Sequence, residues 1–319
     1  MASPELIARI LQQYGVQALV VETMQTGYRN EIYPLELAAG ITANLILYKR
    51  EPGIAKRIQN ANRVGNYLAS RGLPARQTLD ERIIQLHGDR STTYGALYTR
   101  LPGHTIPWEA YTMEHIKNLG GMMSTIHAKL DPLARGGLPD IAAEYHDITN
   151  RMQQYFEASG VQNALRVKLH LTAPNDWHHI HNLLDKLAKL PHQQALHMDF
   201  VRGNILFDDA RHITGILDFE KAAWGNSIFD IARTLAFLLV DCKHKTEQQV
   251  RKYFLHSGYH KRGPTRLTDV TYLEALINLF LLYDFYKFLL HNPYESLSQN
   301  EHFVRTSAFL LQRKILAKV

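Results

Sequence analysis

Cysteine is almost missing from this sequence of 319 residues: there is one, Cys242. That excludes an internal disulfide and a cysteine-built zinc cage, and it suits a reducing, cytoplasmic setting. Long apolar runs are missing as well. The longest, Leu235 to Val240, falls far short of the about 20 residues that cross a bilayer, and no signal-like stretch follows Met1. Neither a membrane span nor export is expected. No segment repeats and none is of low complexity, while 45% hydrophobic and 21% charged residues describe a folded globular chain. Its length allows one large or two modest domains. The excess of one charge sign is small: 36 Lys and Arg against 30 Asp and Glu, a net charge of +6. Such a balance favours an anionic ligand such as a nucleotide. The basic residues are scattered and do not interleave with aromatics, so nucleic acid is not an expected partner.

What is present changes character along the chain. The first hundred residues read mostly as strands and the remainder mostly as helices, which predicts an α+β architecture of two lobes. The turn dipeptide Pro102-Gly103 divides them into an N-terminal antiparallel sheet lobe, 1–103, and a mainly helical C-terminal lobe, 104–319. Strands are expected at 31–37 and 42–50, joined across Ala38-Ala39-Gly40, with Leu45, Leu47 and Lys49 on one face of the second. Lys49 thus emerges at the end of an otherwise apolar face. A helix over 57–70 is stopped by Gly72-Leu73-Pro74, and a second hairpin covers 82–87 and 92–101. Apolar spacing predicts further helices at 108–130, 141–159, 176–190, 227–243, 246–256, 268–291 and 301–318.

Between those helices lies a strand-rich island, 195–219, in which the polar residues look chemically chosen. If 205–207 pairs with 213–217 across Asp208-Asp209, then Asp199, Asn204 and Asp218 converge. Two carboxylates and a carboxamide suit a hard cation that keeps waters and bridges phosphate oxygens. Phosphoryl transfer needs such a set, together with a more distant cation on the nucleotide phosphates, and Lys49 is the candidate.

The pattern His197-x-Asp199-x-x-x-x-Asn204, followed by Asp218-Phe219-Glu220 and by Asp230, resembles the signatures of the aminoglycoside phosphotransferase and choline kinase superfamily, whose fold is similar to that of protein kinases. The likeness extends over nearly the whole chain. It implies ATP and Mg2+ as cofactors and transfer of the γ-phosphoryl group to a hydroxyl of a small molecule. By the same resemblance Asp199 orients the acceptor hydroxyl and takes its proton, and Asn204 and Asp218 ligate magnesium. Lys49 contacts the α and β phosphates, while Gly27, Tyr28, Arg29 and Asn30 belong to the nucleotide-covering loop.

Two departures stand out. The small-lobe helix of this superfamily offers a glutamate to its lysine, yet here the stretch reads Gln59-Asn60-Ala61-Asn62-Arg63. Met198 and Arg202 stand where relatives commonly carry glycine and proline. The missing glutamate supports an alternative, a nucleotide-binding pseudokinase or regulatory scaffold without transfer activity. The acceptor classes considered are amino alcohols, homoserine-like compounds, sugars and aminoglycosides, and the basic region after Lys243 tilts the choice away from the polycationic aminoglycosides. His178, His179 and His181 diverge around a helix capped by Asp176 and read as structural. The aromatic stripe from Tyr272 to Phe288 reads as core, and Asp241 and Asp284 beside it are candidates for the acceptor side.

Overall fold

The structure is a computed structural model that describes residues 2–22, 25–26, 30–48, 51–87, 92–264, 267 and 270–319. The chain opens with a helix that strand-like reading misses, α1 (Pro4–Tyr14). Ser3 caps it by accepting from the Leu6 N–H, Pro4 occupies the first turn, and Gly15 closes it at φ 70°, the usual start and stop signals. Then follow β1 (Ala18–Val21), β2 (Gln25–Thr26), β3 (Glu31–Leu37), β4 (Thr42–Tyr48), α2 (Ile54–Ala69), β5 (Ile84–His87) and β6 (Thr92–Thr99). They build an antiparallel sheet ordered β1-β3-β4-β6-β5, with β2 on β3. Its register places Leu45 opposite Leu97 and Tyr48 opposite Tyr94.

Strand alternation gives this sheet two different faces. Leu45 and Leu47 of β4 join Leu35 and Leu97 under Ile7, Ile10, Leu11 and Tyr14 of α1. Ile46 and Tyr48 point the other way and pack with Ala96, Tyr98 and, from α2, Ile54 and Ile58. Each such side chain removed from water contributes about 1.5–3 kcal/mol. The amphipathic α1 therefore covers one sheet face, while α2 covers the other.

Past Thr105 the chain turns helical, with α3 (Met113–Leu130), α4 (Ile141–Glu157), α5 (Ser159–Ala164), β7 (Leu171–Thr172), α6 (Trp177–Ala188) and β8 (Gln193–Leu196). A hairpin, β9 (Ile205–Phe207) and β10 (Ile213–Ile216), comes next. The remainder is β11 (Ala223–Asn226), α7 (Ile228–Asp241), α8 (Glu247–Arg251), α9 (Leu273–His291), α10 (Tyr294–Leu297), α11 (Glu301–Gln312) and β12 (Ala317–Lys318). Contacts group these elements into two compact units. One is Met1–Thr105 with Asn204–Ala222, and the other is Ile106–Gly203 with Ala223–Val319. The architecture is a mixed one, an antiparallel sheet lobe and a mostly helical remainder.

Two helix ends differ from the periodicity. The pattern at 246–256 continues from α8 into a wide π-helical turn, Lys252–His260, which packs closely on α3: a Cβ on Gly120 would lie 2.1 Å from the Phe254 carbonyl oxygen. The pattern at 301–318 stops at Gln312, and Ala317–Lys318 pairs instead with β7.

In the helical unit α9 is buried nearly all round, and one polar network ties it to α7 and α11. His302 of α11 holds Asp241 of α7 with Nδ1 and Asp284 of α9 with Nε2, each at 2.6 Å. Burial works against a charged imidazole here, but the two carboxylates raise its pKa to about 9. Burial likewise opposes ionised Asp284, yet hydrogen bonds from His302 and Lys287 hold it at about 2. A histidine whose folded pKa exceeds its unfolded value stabilises fully below the unfolded value and loses that contribution as pH rises through the folded one. Stability is therefore expected to fall between pH 6.5 and about 9, by on the order of 2–3 kcal/mol. Thermal unfolding across this range checks it, and His302→Gln should abolish the slope.

Candidate active site

In the helical unit the site is organised by one buried carboxylate. The antiparallel pair β8 and β11 delivers the chain to His197-Met198-Asp199, and Asp230 in the first turn of α7 receives it. Asp230 accepts hydrogen bonds from the backbone N–H of His197 at 2.8 Å and of Met198 at 2.5 Å. His127 of α3 adds a third from Nε2 at 3.2 Å, while its Nδ1 meets the Tyr259 hydroxyl at 2.7 Å. With Nε2 donating to the carboxylate, Nδ1 is the acceptor for the tyrosine proton. Burial alone would raise the Asp230 pKa, but the hydrogen bonds from His127 and the His197 amide hold it below the ordinary value.

This clamp fixes a sharp corner. Met198, buried, sits at φ 60°, a left-handed conformation that costs a non-glycine residue on the order of 1–3 kcal/mol. Directly after it, Asp199 is buried too, its backbone N–H donating to His197 Nδ1 at 3.1 Å. Its Oδ1 accepts from Arg233, which lies one helical turn beyond Asp230 on α7, at 3.2 Å. Arg233 also donates to the Tyr145 hydroxyl at 3.1 Å, and burial does not strip its charge because Tyr145 and Asp199 raise its pKa. Thr234 anchors the following residue, donating to the Phe200 carbonyl at 3.1 Å. Asp199 is thus a carboxylate of fixed position on a loop held from behind by three hydrogen bonds.

The sheet unit holds the other candidates. Asn204 ends a 3-10 turn, Arg202–Asn204, and its carbonyl accepts from the Leu217 N–H at 2.8 Å. The pairing expected of the island is observed, with Ile205 opposite Ile216 and Phe207 opposite Ile213. Asn204 and Asp218 therefore stand together at the open end of the β9–β10 hairpin. Asp218 sits at φ 52°, and its Oδ1 accepts from the Glu220 N–H at 3.2 Å. Glu220 Oε1 in turn accepts from Asn30 Nδ2 at 3.0 Å. Phe219, between the two acids, is buried against Gly65 of α2, where an added Cβ would come within 2.4 Å of the Arg76 carbonyl oxygen and 3.2 Å of the Phe219 ring. Only glycine lets helix and loop approach so closely.

Asn204, Asp218 and Asn30 thus share one unit, and Asp199 belongs to the other, five positions before Asn204 in the sequence. Lys49, Gly27, Tyr28 and Arg29 lie outside the described residues. On α2, where no carboxylate is available, Asn62 accepts from the Tyr98 hydroxyl at 2.7 Å. Arg202 is exposed. Of the histidine group, His181 stacks on His146 of α4 with ring centroids 5.4 Å apart, and Asp185 holds His146 Nε2 at 3.1 Å. Sequence reasoning misses Arg233 and the roles of His127 and Glu220. A signal for Arg233 existed: it is a charge inside the apolar face of α7, a position that demands a partner.

Asp230→Ala removes a buried acceptor from two backbone amides and an imidazole. The expected cost is about 3–5 kcal/mol, read by urea unfolding; a loss below about 1 kcal/mol, the size of an ordinary surface change, would show the clamp to be dispensable.

Comparison with known proteins gives the fold and the family. The chain is similar in structure to an amicoumacin kinase in complex with AMP-PNP, Ca2+ and Ami, with a TM-score of 0.70 and 14% identity over 98% of this chain and 96% of that one. It is also similar to a microcompartment-associated aminopropanol kinase, with a TM-score of 0.66 and 12% identity over 98% of each chain. An aminoglycoside phosphotransferase matches with a TM-score of 0.62 and 14% identity over 96% and 99% of the two chains. At these identities the likeness establishes the fold, the kinase-like one. No curated protein matches the sequence significantly. The family described as phosphotransferase enzymes matches residues 21–267, well over half of the sequence, and the chain belongs to that family.

Proposed function

We propose that the protein is an ATP- and Mg2+-dependent phosphotransferase that moves the γ-phosphoryl group to a hydroxyl of a small molecule. The observation that carries this reading is the placement of Asp199: a carboxylate on a clamped loop, with Oδ1 taken by Arg233 so that its orientation is set before a substrate arrives. Catalysis of phosphoryl transfer is mostly positioning and charge. In this reading Asp199 orients the acceptor hydroxyl and receives its proton, and Lys49 with residues 27–30 meets the nucleotide.

Asn204 and Asp218 fit a divalent cation, since they bring a carboxamide and a carboxylate to one hairpin end, oxygen donors of the hard type. When bound, magnesium supplies charge neutralisation on the phosphates. The residues' own contribution is to hold donors at a corner whose backbone is pinned by the Leu217 amide. Residues 1–103 form the nucleotide-binding lobe in this proposal and 104–319 the catalytic and substrate-binding lobe. A cytoplasmic location suits a single cysteine that is buried, its thiol pushed up to about 12 by burial.

The acceptor belongs to the alcohols of small metabolites: amino alcohols, homoserine-like compounds or sugars, with aminoglycosides as the remaining class. Near Asp199 the helical unit has a small cleft lined by Arg233, Phe237, Tyr283, Asp284, Lys287 and His302. Its carboxylate is already paired with His302 and Lys287, which disfavours a polycation there. The missing α2 glutamate favours the second reading, a nucleotide-binding scaffold without transfer.

Asp199→Asn separates the two. ATP turnover on a panel of these acceptors should fall at least about 1000-fold, while ATP affinity by calorimetry stays within a few-fold of wild type. Equal turnover in the variant, or none in wild type despite ATP binding, contradicts the enzyme assignment.

A further inference from the structure

We propose that Arg76 is the cation that holds the phosphate tail of the bound nucleotide, on the sheet face turned towards α2. The inference rests on the nucleotide-binding reading above and adds a residue that neither the motifs nor the family match assigns.

Arg76 reaches this place through the backbone. After α2 the segment 73–77 runs extended beside β10. Ala75 pairs in parallel with Ile216, Pro74 accepts from the Ile216 N–H at 2.7 Å, and the Arg76 N–H donates to the Ile216 carbonyl at 2.9 Å. Asp218 is two residues further on. Both residues therefore lie at the same end of the hairpin within the sheet unit.

The side chain is 8% exposed, and its guanidinium lies over the Tyr98 ring at 4.4 Å. Among the described residues it makes no hydrogen bond and no ion pair. A buried arginine carries five N–H donors; Asp218 and Glu220 balance its charge only from beyond contact distance, and donors left without acceptors are costly. Natural sequences retain this cost where an anion is to be bound.

The neighbouring groups point the same way. The Tyr98 hydroxyl gives its proton to Asn62 Oδ1 at 2.7 Å, so across the 2.6 Å contact between the two tyrosines it is Tyr48 that donates to Tyr98. Both phenols stay protonated, because burial raises their pKa values. The Asn62 Nδ2 group is buried and, among the described residues, without an acceptor. The corner thus presents the Arg76 fork and an amide N–H pair with few acceptors between them, complementary to a ligand made of acceptor oxygens.

Among the described residues, the parts of β4 and α2 that face this corner offer neither a second cation nor a carboxylate beside Arg76. On the face shared with α2, β4 presents Ile46 and Tyr48, while its Leu45 and Leu47 turn to α1. The stretch Gln59 to Arg63 of α2 has no carboxylate that would neutralise Arg76. Burial opposes the guanidinium charge, but the carboxylates of Asp218 and Glu220 favour it and keep Arg76 protonated. Asp218 is also one of the two residues proposed to hold the phosphate-bound cation, so opposite charges meet the triphosphate from one corner.

The test is calorimetric titration of wild type, Arg76→Gln and Arg76→Lys with AMP-PNP and with adenosine, both in magnesium. In Arg76→Gln the AMP-PNP affinity should fall about 10- to 100-fold and adenosine affinity should be unchanged. Arg76→Lys, which keeps the charge but not the fork, should fall in between, and it carries the test alone if the glutamine variant does not fold. Unchanged AMP-PNP affinity in both variants overturns the proposal, as does an equal loss for AMP-PNP and adenosine, which marks a structural residue. Wild-type protein that binds neither AMP-PNP nor GMP-PNP overturns the nucleotide reading itself, and the role of Arg76 with it.

Discussion

The Asp230 carboxylate is the constraint on which the helical half of the site depends. It is buried and ionised, and it satisfies two consecutive backbone amides and an imidazole at once. Two amides in succession can converge on one carboxylate only if the chain bends sharply, and the left-handed Met198 is that bend. The strain is local and the hydrogen bonds that hold it come from α3 and α7, elements packed by apolar contacts. Asp199 inherits its position from this arrangement. The same helix then supplies Arg233, so one turn of α7 both holds the loop and fixes the carboxylate it presents.

The sheet unit solves a similar problem with different means. Asp218 is also left-handed, and it follows directly on a strand whose last hydrogen bond goes to the Asn204 carbonyl. Phe219 seals the corner against Gly65 of α2. Helix, hairpin and acidic corner are thereby one packed object, and a change in α2 is felt at Asp218. That coupling gives physical content to the missing α2 glutamate: the helix no longer offers a charge, but through Asn62, Tyr98 and the Arg76 segment it still borders the acidic corner.

Much of this was legible in the sequence, and for identifiable reasons. The expected pairing of the strands at 205–207 and 213–216 is observed and puts Asn204 and Asp218 at one end of that hairpin, whereas Asp199 belongs to the other unit. The α1 helix was passed over in a region read mostly as strands, although Ser3-Pro4 and Gly15 marked both ends. Lys49 showed as a charge after an apolar strand face; Leu45 and Leu47 of that face lie under α1, and Lys49 is outside the described residues. Arg233 was missed because its partner lies 34 positions away. Arg76 was invisible for another reason: nothing in Pro74-Ala75-Arg76-Gln77 reveals that the chain there lies against β10, and the burial of its guanidinium is a property of packing rather than of pattern.

The proposed reaction passes a phosphoryl group from a nucleotide to an alcohol. Phosphorus NMR of the protein with ATP, Mg2+ and pooled hydroxyl compounds reads this directly. The account predicts a new phosphate monoester resonance that grows with ADP and is absent in Asp218→Ala. Release of ADP and inorganic phosphate alone, or an ester that forms equally well in Asp218→Ala, would contradict it.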